Sequence, residues 1–133
     1  MSRFHHISLI LFSTSIMFAP AAHSQSLKAA EDAHVKDNFI IVKSVETSSG
    51  GWLVAHKGGG GQPGKIVGFM SIKPGSYTDV KIPVTETLDH GPHAVIILMM
   101  HEDAPGTKGT FDPSEDKPTM QGGKAVMTEV IVD

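Results

Sequence analysis

The sequence predicts an all-β domain, a sandwich of about seven short strands with an immunoglobulin-like or cupredoxin-like plan. Two observations predict it, and the cysteine count limits what can support it. After Asn38, β-branched and apolar runs of six to nine residues are separated by glycine, proline or acidic clusters, giving turn signals at roughly 8–12-residue spacing. No segment in that region holds a helical period over a useful length. No cysteine is present, so no disulfide or thiolate-bound metal supports the fold.

The elements follow in order. Arg3 and the apolar run "ISLILFSTSIMF" (Ile7 to Phe18), then "APAAHSQ", read as a secretory signal peptide over 1–24. The run is too short to span a membrane. Cleavage is expected after Ser24, with Ala21 the second choice. About 109 residues then remain, an ordinary single-domain size. "SLKAAEDAHVKD" completes a polar leader over 25–37, expected to order poorly or to form a helical turn or two. The β-sandwich domain is expected over 38–133.

Its strands read as Phe39 to Glu46, Trp52 to Lys57, Lys65 to Ile72, Tyr77 to Val84, His93 to His101 and Lys124 to Val132. Pro83 marks the fourth as an edge strand or its end. "HAVIILMMH" is the most continuous apolar run and the expected central strand. "EDAPGTKGTFDPSEDKP" between the last two is a long acidic loop. Trp52 and Val54 share a strand face, and Trp52 reads as a core anchor.

"HKGGGGQPGK" carries most of a phosphate-binding loop, with Gly59, Gly64 and Lys65 at the required spacing. That loop needs a helix starting at the Gly-Lys and a hydroxyl after it. Here Ile66 holds the hydroxyl position and a strand pattern follows, so nucleotide binding is not expected. The glycines read as a flexible connection. The net charge is −3, and signal cleavage removes the sole arginine, Arg3. An acidic chain without arginine forks is not expected to bind nucleic acid.

From Gly51 onward, "GWLVAHK", "PGKIVGFMSIKPGSYTDVKIPV", "LDHGPHAVIILMMHED", "GTFDP" and "DKPTMQGGKAVMTEVIV" occur in an order that resembles the DUF7282-like family, exported β-sandwich domains of unknown function in haloarchaea and bacteria. The resemblance covers about Val42 to Val132. It implies an immunoglobulin-like sandwich outside the cytoplasm and no reaction. Some haloarchaeal members look more like D-x-N-x-N-G-x-x-D after the "H-x-D", a calcium-loop spacing. Here "DAPGTKGTFD" has Pro105, Thr107 and Lys108 in that stretch, which leaves Asp103 and Asp112, with Glu115 and Asp116, as the calcium candidates.

Histidine and methionine suggest a second chemistry. Imidazole and thioether together favour copper, especially Cu(I). His93 and His101 share a strand face but lie about 26 Å apart, too far to hold one ion, whereas Met99 and His101 are roughly 7 Å apart. His56 ends another strand. The candidate copper site is therefore His56, Met99 and His101, with Met120 as a fourth ligand; the competing reading makes the methionines core and the histidines loop anchors. "H-x-D" at His101 to Asp103 has no partner nucleophile, since Ser71, Ser76 and Ser114 lie in no elbow-like motif, so the chain is not expected to be an enzyme. The leading functional reading is an exported, non-catalytic module, periplasmic or secreted, that binds an envelope protein or small ligand. A periplasmic copper-handling protein is the alternative, and a calcium-stabilised module the third.

Overall fold

The computed structural model describes residues 25–28, 35–89, 91 and 94–132. The expected signal peptide over 1–24, part of the polar leader, and His34, His90 and His93 lie outside the described residues.

Among the described residues the strands are β1 (Gln25–Lys28), β2 (Val35–Lys36), β3 (Phe39–Thr47), β4 (Gly51–Gly59), β5 (Gln62–Ile72), β6 (Gly75–Pro83), β7 (Val95–His101), β8 (Met120–Gln121), β9 (Lys124–Ala125) and β10 (Met127–Ile131). All pairings are antiparallel. One sheet is centred on β3, with β6 along its whole length and β1 and β2 against its two ends on the other side. The second runs β10-β7-β4-β5, and β8 with β9 makes a small separate hairpin.

Alternation builds the core between the sheets. Ile40, Val42 and Val45 of β3 and Val80 and Ile82 of β6 face Leu53 and Ala55 of β4, Val67 of β5, Ile96, Leu98 and Met100 of β7 and Val130 of β10. The alternation in β3 slips by one residue between Val42 and Val45. Opposite the slip, Asp79 of β6 takes a left-handed conformation, φ 52°. The sandwich closes along two seams, where β5 runs beside β6 and β1 beside β10. At the first, Gly68 bridges Val84, and the Thr85 N–H and hydroxyl both donate to the Val67 carbonyl. A side chain at Gly68 would lie 2.3 Å from the Pro83 carbonyl oxygen, so only glycine permits this approach.

The structure corrects several expectations. The glycine run is not a flexible loop. Strands continue to Gly59 and resume at Gln62, joined by a two-residue turn at Gly60 and Gly61 with φ of 60° and 74°. Two consecutive left-handed residues make the turn whose twist suits an antiparallel hairpin. Lys65 sits within β5 and pairs with Glu86 at 2.8 Å, so no helix opens at the Gly-Lys. The leader supplies β1, whose Leu27 packs on the core, where disorder or helix was expected. The closing strand divides at Val126, giving β9 to the small hairpin and β10 to the main sheet. The expected edge position of Pro83 is found at the last residue of β6, and the expected central strand is found over its described part, "VIILMMH", as β7.

Candidate functional site

β4 and β7 are buried on both faces. Trp52 to His56 and Ile96 to His101 are unbroken buried runs. Alternate residues in each face the interior of the sandwich. The others, Trp52, Val54 and His56 on β4 and Ile97, Met99 and His101 on β7, lie on the opposite face. The register sets them side by side as Trp52 with His101, Val54 with Met99 and His56 with Ile97. What buries this outer face is the long acidic segment after His101, which folds back across the sheet. Glu102 N–H donates to the Lys117 carbonyl, and Pro118 bridges His101.

Phe111 is the apolar anchor of that segment. Its ring lies 4.7 Å from Phe69, 5.5 Å from Trp52 and 5.9 Å from His101, centroid to centroid. Trp52 also meets Phe69 edge-on at 6.1 Å. Aromatic groups at these separations and tilts form a favourable cluster. Trp52 is therefore buried, as expected, but in a second apolar layer outside the sandwich.

Asp116 is the polar anchor. Its carboxylate accepts from Ala104 N–H at 2.7 Å, Asp112 N–H at 2.8 Å and the Thr107 hydroxyl at 3.3 Å. The N–H groups of Asp112 and Ala104 hold its carboxyl below the usual carboxylate range. Its backbone carbonyl accepts from Nδ1 of His101 at 2.7 Å. The loop thus fixes a histidine as well as itself.

His56 is fixed in the same way from the other side. Its Nδ1 donates to the Gly64 carbonyl at 2.9 Å. The β4–β5 ladder is irregular on both sides of His56, which turns the carbonyl of Gly64 towards the ring. The two rings lie 5.7 Å apart and 24° from parallel. Only 8% of His56 and 5% of His101 are exposed. A carbonyl only accepts, so each Nδ1 carries a proton, and a neutral ring then presents a bare lone pair at Nε2. Both Nε2 atoms are buried without a hydrogen-bond partner. Burial pushes His101 below its ordinary value, opposed by the hydrogen bond to Asp116 and aided by the neighbouring His56. Neutral imidazole with a fixed tautomer is the ligand form of histidine.

The structure thus brings together His56 and His101, with Met99, 4% exposed, on β7 between the rows that hold them. Met120 is 57% exposed on the β8–β9 hairpin and is not part of this cluster. Asp103 and Asp112, the calcium candidates, accept from donors of their own loop. Asp103 takes Gly109 N–H at 3.2 Å, and Asp112 takes the Ser114 hydroxyl at 2.6 Å and its N–H at 2.9 Å. Sequence reasoning missed the roles of Phe111 and Asp116. The "DPSED" run signalled the Asx-type turn at Asp112, but not Asp116, whose donors include Ala104 and Thr107 from earlier in the loop.

A family model described as a domain of unknown function (DUF7282) matches residues 26–133. Cell surface glycoprotein 2 of Haloarcula hispanica is 34% identical over 88 residues, covering 65% of this chain and 9% of that protein. Cell surface glycoprotein 1 of the same organism is 32% identical over 88 residues with the same coverage. The chain therefore spans under a tenth of the length of these curated relatives. No solved structure matches it.

Proposed function

This chain belongs to the DUF7282 family, and from that premise we propose that it is a non-catalytic β-sandwich module of the cell envelope. The observation that carries the reading is the 34% identity to a cell surface glycoprotein. The architecture supports it. A two-sheet body whose longest described connection is itself packed down by Phe111 and Asp116 suits a structural or recognition unit. The Nε2 atoms of His56 and His101 have no hydrogen-bond partner, and the Ser114 hydroxyl donates to Asp112, so no serine is hydrogen-bonded to either ring. Among the described residues no helix is long and apolar enough to cross a membrane. In this proposal the segment 1–24 directs export, the domain works in the periplasm or outside the cell, and it meets an envelope protein or a small ligand there.

The test is fractionation of cells that express the full chain with a C-terminal tag, beside a version lacking 1–24. The expected result is a processed full chain in the envelope or medium and a truncated one in the cytoplasm. Retention of the full chain in the cytoplasm would overturn the reading. Crosslinking in intact cells then identifies what the exported domain touches.

A further inference from the structure

We propose that His56, His101 and Met99 form a binding site for a soft monovalent metal ion, Cu(I), on the outer face of the β4–β7 pair. The two Nε2 atoms carry the argument. Each belongs to a side chain more than nine-tenths buried, and each lacks a hydrogen-bond partner. An unpaired buried polar atom costs free energy, and it persists where something else satisfies it. Two such lone pairs on neighbouring rings call for an acceptor of electron pairs. The opposite nitrogen of each ring is already bound to a backbone carbonyl, the outer support usual for metal-binding histidines.

The ring separation fits one shared ion. Two imidazole nitrogens each about 2.0 Å from a metal set the ring centroids roughly 5.5–6.3 Å apart, the shorter value for a bent arrangement. The observed separation is 5.7 Å with the ring planes 24° from parallel, so a shared ion requires the two stacked rings to turn their Nε2 atoms towards each other. Met99 precedes His101 by two residues on the same strand face and pairs across the ladder with Val54, which precedes His56 by two. A thioether is thereby carried into the row between the histidines.

Charge and softness choose the ion. Two neutral imidazoles and a thioether bring no charge, and the surrounding walls are Trp52, Val54, Phe69, Ile97 and Phe111. A divalent cation there leaves two charges poorly solvated; a monovalent one leaves one, with the Asp116 carboxylate nearby as its counter-charge. Nitrogen with thioether sulfur is the donor set that prefers Cu(I) to the harder divalent ions. No carboxylate, thiolate or open water position is needed.

The purified chain is titrated against a coloured Cu(I) chelator under reductant, and separately with Ag(I) as a diamagnetic stand-in read by NMR. The expected outcome is removal of one equivalent of Cu(I) from the chelator and movement of the His56 and His101 ring signals on adding Ag(I). His56→Asn and His101→Asn retain a donor where Nδ1 stood and have no counterpart of Nε2. Each is expected to weaken Cu(I) binding about 100-fold or more, at or beyond the cost of disturbing an outer support. Met99→Leu keeps volume and removes the sulfur, with an expected loss of about 10-fold. Trp52 emission checks that each variant is folded; if the asparagine variants are not, Met99→Leu and the Ag(I) spectra of the unaltered chain decide. The proposal is overturned if the chelator keeps its copper, if Ag(I) moves other signals, or if folded variants bind as the unaltered chain does. The assay is blind to where the protein resides, so its result leaves the envelope reading to its own test.

Discussion

His101 and Asp116 set the acid limit of the fold. Burial lowers the affinity of His101 for a proton in the native state. Above its ordinary value of 6.5 both folded and unfolded chains hold a neutral ring. Below it, the unfolded chain takes up a proton that the native chain refuses, so stability falls as pH falls. Asp116 acts lower down. Its carboxyl is held below 3.8 by backbone donors, so it contributes stability above that value and loses it as pH falls through the native value. The expected melting profile declines in two stages, one beginning near neutral pH and one below the carboxylate range. In His101→Asn the first stage should shrink, which thermal unfolding measured from pH 8 to pH 3 will show. Asp116→Asn replaces half of the carboxylate's acceptor capacity with a donor facing N–H groups. It should lower the melting temperature more than Asp103→Asn, whose carboxylate is exposed and holds one N–H.

At the scale of elements, the turn at Gly60 and Gly61 and the Phe111 loop make separable predictions. Gly60→Asn suits a left-handed turn position and should be near neutral, while Gly61→Val should cost about 1–2 kcal/mol in chemical denaturation. Phe111→Ala removes the apolar anchor of the loop. A loss of about 2–3 kcal/mol is expected for a partly exposed ring, with a red shift in emission from Trp52, the only tryptophan. Most strands were legible in the sequence because β-branched runs and turn residues act locally. "FIIVKSVE", "KIVGFMSI" and the central "VIILMMH" all became strands within a few residues of their expected limits. The rest was illegible for physical reasons. A row of four glycines reads as slack, yet two of them extend strands because partner backbones complete their hydrogen bonds. The continuous burial of Trp52 to His56 depends on a loop fifty residues later, which no local pattern announces. For the site, alternation placed Met99 and His101 on one face, but the approach of His56 required the pairing of β4 with β7. Met120 illustrates the converse, a candidate ligand from a separate hairpin that stays exposed to solvent.

For the whole molecule, stability comes from two stacked apolar layers and no covalent crosslink. With no cysteine in the chain, denaturant unfolding should be a single cooperative transition, unchanged by reductant. A shoulder seen by Trp52 fluorescence but not by circular dichroism would show that the outer layer opens on its own. Folding should be slow for the size, milliseconds to seconds, because the β4–β7 and β3–β6 pairings join distant parts of the chain. The tight points of the framework are glycines. A side chain at Gly51 would lie 2.2 Å from the His101 carbonyl oxygen, so Gly51→Ala should cost about 2–4 kcal/mol. Under the copper proposal it should weaken Cu(I) binding as well, since it displaces the backbone that carries His101.

The two seams have one more consequence. Among the described residues β5 lies beside β6 and β1 beside β10, and Pro63 and the left-handed Asp79 interrupt the ladders that those borders could offer to a stranger. Along those two seams, copies crowded together at high concentration meet no straight, open rim on which ribbons nucleate. A domain with its sheet borders so engaged is suited to being set densely among its own kind while each copy keeps its own strands.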